Sequence, residues 1–293
     1  MDKTKVLITG VTGFLGSNLA KIMIDRGYDV VAIKRKSSSL KRIEALLSRI
    51  HLYDLETSDF SHIFQSHEKI EVVIHTATCY GRNNETTLDI FNANTSFPLR
   101  LLDAASRAKV SKFINTDTIL DKYLNLYSLS KNHLLEWGKF YSMHKMIEFI
   151  NMRLEHFYGP GDDSSKFTSY VIENCISNTP SLKLTLGKQC RDFIYIDDVV
   201  SAYLTVITKK NLTEKWFTEY EVGSGDSITI RKFVETVHKI SDSKTHLEFG
   251  AIPYRKGEVM NSQADVSALK ALGWRCDVNL ENGLKQTIKI ANK

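Results

Sequence analysis

A glycine-rich turn between a strand and a helix constrains this chain more than any other feature. Residues 5–27 read KVLITGVTGFLGSNLAKIMIDRG. The apolar run 5–9 is strand-like, and Gly10, Gly13 and Gly16 follow at GxxGxxG spacing. Leu15, Leu19, Ile22 and Met23 then recur on one side of a helix that Gly27 is placed to end. Without side chains the backbone can turn tightly and approach a pyrophosphate, with the helix N-terminus facing the anion. Its place, after a strand and before a helix, is what gives the spacing weight.

Further apolar runs follow: DVVAI, RIHLY, EVVIHTA, KFINT (112–116) and EFINMR (148–153). Helical spacing separates them, most clearly over 92–109 and 126–142. Strands alternating with helices predict βαβ units around a buried parallel sheet. Residues 1–160 therefore read as a doubly wound α/β domain. After YGPGDDSS the pattern becomes less regular, with a helix over 166–177, a short strand around Leu184 and the run RDFIYIDDVVSAYLTVI. Residues 161–293 read as a smaller lobe, from which a segment of about 193–222 returns to the first domain.

Composition narrows the function classes. The charge balance, 39 Lys and Arg against 34 Asp and Glu, suits an anionic small substrate as well as nucleic acid and decides nothing alone. No polybasic tract with interleaved aromatics is present, so nucleic acid is not an expected partner. No apolar run approaches the ~20 residues of a membrane span, and MDKTKVLITG is not a signal peptide. Cys79, Cys175, Cys190 and Cys276 are scattered without metal-ligand spacing. The expectation is a cytoplasmic protein with reduced thiols and no metal.

The second strand ends at Ile33, where dinucleotide-binding folds that use NAD carry an acid for the ribose 2′-hydroxyl. Here Lys34, Arg35, Lys36 and Ser37 stand instead. Cations and a hydroxyl suit a 2′-phosphate, which Arg can hold through two hydrogen bonds. The expected cofactor is NADP(H). Asp54, after the third strand, is expected near the adenine. Thr76, Ala77 and Thr78, after the fourth, are expected along the dinucleotide backbone. His75 reads as a satisfied core histidine.

LYSLSKNHLLEW opens the helix after strand five and puts Tyr127 and Lys131 four residues apart on one face. A neighbouring ammonium favours the phenolate and lowers a phenol's pKa, making Tyr a usable acid or base. Lys131 can also hold the nicotinamide ribose. Thr116 and Thr118, at the end of strand five, offer a hydroxyl partner. Tyr123 lies nearby but has no lysine four residues on.

Taken together, TGVTGFLG, HTAT, YSLSK, RLEHFYGPGD and RDFIYIDDV resemble the extended short-chain dehydrogenase/reductase family over the whole chain. The resemblance implies a Rossmann domain, a C-terminal substrate lobe and a nucleotide-diphosphate sugar as substrate. It implies Tyr127 as proton donor or acceptor, Lys131 as its partner and Thr118 at the Ser/Thr position, with Thr116 as the fallback. It also implies cofactor contacts from Thr12, Phe14, Leu15, Leu55, Asn94 and Thr116. Arg191 and Arg255 match arginines that grip the diphosphate, and His156 stands where relatives carry Asn. Read as a plain structural residue, Arg191 would pair with Asp192 or Asp197. Tyr80 and Arg82 are candidates to border the hexose. The WGKFYSMH stretch resembles a helix face that builds homodimers in this family.

Departures from the family pattern separate its branches. Dehydratases carry Thr-Asp-Glu at the end of strand five, whereas this chain reads TDTIL and has no Glu after the Asp. The 4-epimerases keep NAD and an acid after strand two. A 4-ketoreductase using NADPH fits both departures. NMRLEHFYGPGD and RDFIYIDDVVSAYLT further resemble reductases of O-antigen and lipopolysaccharide sugar synthesis. That implies CDP-4-keto-3,6-dideoxyglucose as the deoxysugar substrate. The competing readings are a 4-epimerase with bound NAD and a non-catalytic NADP(H) sensor.

Overall fold

The computed structural model describes residues 4–67, 69–209 and 215–291. Its strands are β1 Lys5–Thr9, β2 Asp29–Lys34, β3 Ile50–Asp54, β4 Ile70–His75, β5 Lys112–Thr118, β6 Glu148–Leu154, β7 His156–Tyr158, β8 Ser181–Leu184, β9 Cys190–Tyr195, β10 Phe217–Val222, β11 Ser227–Thr229 and β12 His246–Phe249. The helices that position the site are α1 Phe14–Asp25, α2 Phe60–Ser66, α3 Thr87–Phe91, α4 Phe97–Arg107 and α5 Leu126–Met143. The chain divides into two compact units, Met1–Arg153 with Ile207–Tyr220, and Leu154–Val206 with Glu221–Lys293.

The first unit is built on a seven-stranded sheet in the order β10-β6-β5-β4-β1-β2-β3. Strands β3, β2, β1, β4 and β5 pair in parallel along that row. Their Val/Ile-rich centres are buried because helices cover both faces, the usual condition of a parallel sheet. One core cluster joins Leu7, Val31, Val73 and Phe113 to Leu101 and Leu102 of α4 and Leu135 of α5. Thr9 lies opposite His75, and His75 opposite Asn115, so the C-terminal ends of β1, β4 and β5 are level. In doubly wound sheets of this Rossmann type, ligands bind beyond those ends.

Two local differences from the sequence reading have physical causes. The expected helix over 92–109 is a composite, since α3 runs into a π turn at Asn92–Ser96 before α4 begins. Thr86 and Asp89 form a capping box that starts α3, and Pro98 sits in the first turn of α4, where its missing N–H is harmless. The first unit also ends at Arg153 rather than near 160, and the returning segment is Ile207–Tyr220. The reason is β7, which pairs with β9 and so joins the second unit. Residues 210–214 of the expected return lie outside the described residues.

The second unit holds a β11-β9-β7 sheet and a β12-β8 pair. Its centre is aromatic: Phe193 stacks on Phe233 at 4.2 Å, and Tyr158 meets Tyr195 edge-on at 5.7 Å. Two inward carboxylates of the RDFIYIDD run tie distant loops to this centre. Asp192 accepts from the backbone of Ser224, Gly225 and Ala264, and Asp198 from that of Asp277 and Val278.

Candidate active site

The glycine turn forms a cradle with no room for side chains. Gly10 has φ +71°, and a Cβ there would lie 2.6 Å from the Ala77 nitrogen. A Cβ on Gly16 would lie 2.2 Å from the Gly10 carbonyl oxygen. The Gly13 N–H donates to that same carbonyl at 2.9 Å, and Gly13 caps α1 without a side-chain bond. Phe14 and Leu15 are buried beneath the turn, and Thr12 is half-buried. Across it the Thr76 hydroxyl donates to the Thr9 carbonyl at 2.7 Å, fixing Thr76 and Ala77 against β1. Bare backbone at a helix start is the geometry a dinucleotide pyrophosphate requires, so these residues fit such a cofactor.

The cationic turn after β2 is more selective than its sequence suggests. Lys34 and Asp54 are register partners on β2 and β3, and their side chains form an ion pair. The Lys34 carbonyl accepts from Leu55, and the Lys36 N–H donates to the Glu56 carboxylate at 2.8 Å. Arg35, Lys36 and Ser37 are exposed. Lys34 thus faces an acid that was expected beside the adenine.

Asn94 is fully buried in the π turn, and its amide is occupied by protein. It accepts from the Cys79 N–H at 2.7 Å and donates to the Cys79 carbonyl and the Ser130 hydroxyl. Thr78 also donates to it. Asn94 is therefore a strut between the loop after β4 and helix α5. A π turn is a common device for aiming such a residue.

Tyr127 and Lys131 lie in the first turns of α5, which Asn125 and Ser128 start with reciprocal capping bonds. Thr118 acts on the Tyr127 hydroxyl in the direction that favours its phenolate, and its own hydroxyl accepts from the Leu120 N–H at 3.3 Å. Lys131 is almost wholly buried and donates to the Thr116 carbonyl at 2.9 Å. Strand β5 thus offers one threonine by its hydroxyl and the other by its backbone. Tyr80 packs on Tyr127 with ring centroids 5.1 Å apart, and the Arg82 guanidinium lies over the Tyr80 ring. Exposed Tyr123 is not part of this group.

The electrostatics correct one expectation. In the chain alone the Tyr127 phenol is pushed well above its ordinary pKa, chiefly by burial, then by Tyr80 and Asp117. Burial likewise lowers Lys131 to about 8, with Asp117 opposing and Lys122 assisting. Desolvation outweighs the ammonium–phenol attraction expected from sequence, with Lys131 almost wholly and Tyr127 partly removed from water. At neutral pH Tyr127 is a protonated phenol, which is a proton donor. His75 is neutral, held well below its ordinary pKa by burial and Lys131, and its Nδ1 bonds the Thr9 hydroxyl.

In the second unit, Arg191 is mostly buried and pairs with Glu258 at 2.6 Å, whereas Asp192 is taken up by the backbone of Ser224, Gly225 and Ala264. Its other amino group donates to the Cys190 carbonyl. Arg255 is exposed at the start of the turn that carries Glu258. His156 is half-exposed, and its Nδ1 faces the buried Glu155 carboxylate at 3.1 Å. Glu155 also accepts from the Ser262 hydroxyl. Among the described residues no His, Cys, Asp and Glu group could hold a metal ion, and no helix is long and apolar enough to cross a membrane.

Comparison with known proteins places this geometry in a family. The NAD dependent epimerase/dehydratase profile matches residues 6–223. A CDP-abequose synthase of Salmonella muenchen is 36% identical, with 98% of this chain and 97% of that protein aligned. A second CDP-abequose synthase, from Salmonella typhimurium, is 35% identical over 98% of each chain. The solved UDP-glucuronic acid 4-epimerase of Bacillus cereus, in complex with UDP-glucuronic acid and NAD, superimposes with a TM-score of 0.87 at 24% identity and 99% coverage of each chain.

Proposed function

The chain belongs to the NAD dependent epimerase/dehydratase family, and we propose that it is an NADPH-dependent 4-ketoreductase of a nucleotide-linked 4-keto-deoxyhexose. The proposed substrate is CDP-4-keto-3,6-dideoxyglucose and the product CDP-abequose, a precursor for O-antigen lipopolysaccharide made in the cytoplasm. One observation carries the reading. Tyr127 and buried Lys131 share the first turns of α5, Lys131 donates to the Thr116 carbonyl of β5, and on that strand end Asp117 is followed by Thr rather than Glu. The identity to two CDP-abequose synthases supports the choice of sugar.

The residues divide the work as follows. Gly10, Gly13 and Gly16 receive the pyrophosphate, with Thr12 and the backbone of Phe14 and Leu15 beside it. Arg35 and Ser37 read the 2′-phosphate, with Lys34 and Lys36 adding charge. Thr76, Ala77 and Thr78 follow the dinucleotide, and Asp54 and Leu55 border the adenine. When bound, NADPH supplies the hydride. Tyr127 gives its proton to the C4 oxygen as negative charge develops there, and Thr118 donates a hydrogen bond to the same oxygen. Lys131 stabilises the resulting phenolate and holds the nicotinamide ribose, with Thr116 and Asn94 orienting it. Tyr80 and Arg82 border the hexose. Arg191, Arg255 and His156 of the second unit are assigned to the nucleotide diphosphate. Exposed Trp137, Phe140 and Met143 on α5 support a homodimer formed through that helix.

Asp54 and Glu56 beside the cationic turn favour a second reading, a 4-epimerase with bound NAD, because carboxylates there oppose a 2′-phosphate. The two part in one assay. Absorbance at 340 nm is followed with NADPH and CDP-4-keto-3,6-dideoxyglucose made in place by the upstream enzymes. NADH and a dTDP-4-keto-6-deoxyglucose serve as controls. Fast loss of NADPH on the CDP sugar is expected. Turnover of the dTDP sugar alone would discard the CDP assignment, and purified protein carrying tightly held NAD with no consumption would favour the epimerase.

Lys131 gives a pH signature. Its charge is needed for catalysis, so kcat/KM is expected to fall as pH rises through about 8. For stability the sign is opposite. The unfolded chain keeps this proton up to about 10.4, so the folded state is penalised below about 8 and relieved as pH climbs between the two values. Lys131→Met is therefore expected to raise Tm by a few degrees at pH 7 while removing activity, with the gain fading toward pH 10. Thermal melts across pH check this; a variant destabilised equally at every pH would contradict it.

A further inference from the structure

Behind the Tyr127–Lys131 pair lies a charge pair with no part in the mechanism above. Asp117 sits between Thr116 and Thr118 on β5, and its side chain is completely buried. It accepts from the Lys122 ammonium at 2.6 Å, the Thr118 N–H at 2.7 Å and the Asn151 amide at 3.0 Å. Lys122, in the loop between β5 and α5, is itself mostly buried and also reaches the Thr118 carbonyl. Asn151 is held in turn by Asn115 at 2.8 Å and by Glu219 at 2.8 Å. Three polar side chains and the Thr118 N–H and carbonyl thus fix one carboxylate and one ammonium at the strand end that carries both threonines.

A buried ion pair is often no better for stability than apolar residues of the same size, so its retention calls for another role. We propose that Asp117 and Lys122 are electrostatic positioning residues: fixed by the Asn115–Asn151–Glu219 network beside the strand end whose Thr116 carbonyl receives Lys131, their opposed charges balance each other at Lys131, so that neither acts on it alone. The catalytic meaning of the pair rests on the proposed reductase reading; its electrostatic effect does not.

The other charged groups bearing on the pair are counted. His75 on β4 is neutral and couples to Lys131. Tyr80 and Arg82, from the loop after β4, act on Tyr127 in opposite directions. Glu219 of β10 is offset by Arg153 of β6 at 3.5 Å. Asp117 raises both Lys131 and Tyr127, and Lys122 lowers Lys131. Removing either member must therefore move Lys131 in a set direction. Lys122→Met leaves Asp117 unopposed and shifts the Lys131 titration upward. Asp117→Asn leaves Lys122 unopposed and shifts it downward.

The test reads Lys131 without any substrate. The full chain is labelled with 13Cε-lysine, the Lys131 resonance is assigned by its loss in Lys131→Met, and its chemical shift is followed across pH. Shifts of about one unit in opposite directions are expected for Lys122→Met and Asp117→Asn. The Lys122→Arg variant and the double variant Asp117→Asn/Lys122→Met should titrate close to the parent chain. Movement of both single variants in the same direction, or none in either, would overturn the proposal. If a single variant fails to fold, the double variant decides against Lys122→Arg: a Lys131 titration unlike the parent in Lys122→Arg would equally overturn it. A failed 340 nm assay alongside opposite shifts would discard the reductase reading and leave the electrostatic role standing.

Discussion

Tyr127→Phe is expected to lower turnover by roughly 10²- to 10⁴-fold, the range of a lost general acid, while cofactor affinity stays within a few-fold of the parent. The substitution removes one oxygen, and the ring keeps its packing against Tyr80. What disappears is the hydroxyl and its proton. The loss should therefore fall on kcat, with little change in the dissociation constant read by quenching of NADPH fluorescence. Thr118→Val should cost less, because the phenol keeps its proton and only the neighbouring hydroxyl is lost. A Tyr127→Phe enzyme with parental turnover would remove Tyr127 from the chemistry. Loss of cofactor binding with loss of turnover would mean that the hydroxyl holds the fold of the site instead.

Gly16→Ala is expected to abolish dinucleotide binding and to cost about 1–3 kcal/mol of stability, the range for overpacking a close contact. The added methyl would meet the Gly10 carbonyl oxygen at 2.2 Å and the Thr76 hydroxyl at 2.9 Å. The first is backbone, which no rotamer change relieves. The turn must open, and it carries the N–H groups that would face the pyrophosphate. At Gly10 the same change adds strain from φ +71° to a 2.6 Å contact with Ala77. Denaturant unfolding and NADPH titration on one preparation separate the two effects. Parental affinity in Gly16→Ala would show that this turn is only a tight connection between β1 and α1.

The parts legible in the sequence were those written in local spacing. The glycine turn, the alternation of strands and helices, and the Tyr127–Lys131 pair each need only a period of two or 3.6 residues and a turn. The π turn at Asn92–Ser96 lay within a strongly helical stretch, and its one extra residue per turn leaves little trace in apolar spacing. The Lys34–Asp54 pair was hidden for another reason. Its partners are 20 residues apart and meet only because β2 and β3 pair in one particular register. Seen as sequence, KRKS is three free cations; folded, one of them faces a carboxylate and another offers its N–H to Glu56.

The same distance effect explains the second unit. Asp192 and Asp198 read as ordinary acids of a conspicuous run, yet they accept backbone N–H groups 32 to 80 residues away. Arg191 likewise meets Glu258 across 67 residues. Lys122 was missed although it is only five residues from Asp117. It lies in a loop, where no periodicity assigns direction, and a lysine in a loop ordinarily faces water. The expected lowering of Tyr127 failed for want of depth. Spacing puts the ammonium nearby but carries no measure of how much of either group is removed from solvent.

The most direct measurement uses NADPH carrying deuterium at the transferred C4 position of its nicotinamide, supplied in excess with CDP-4-keto-3,6-dideoxyglucose. The product is examined by proton NMR. A reductase built as described should consume one NADPH per sugar and place one deuterium at C4 of the product hexose, with loss of its H4 signal. A product that keeps a protium at C4, or that forms without consuming the supplied NADPH, would contradict the reductase account and point to hydride returning from a cofactor the protein already holds.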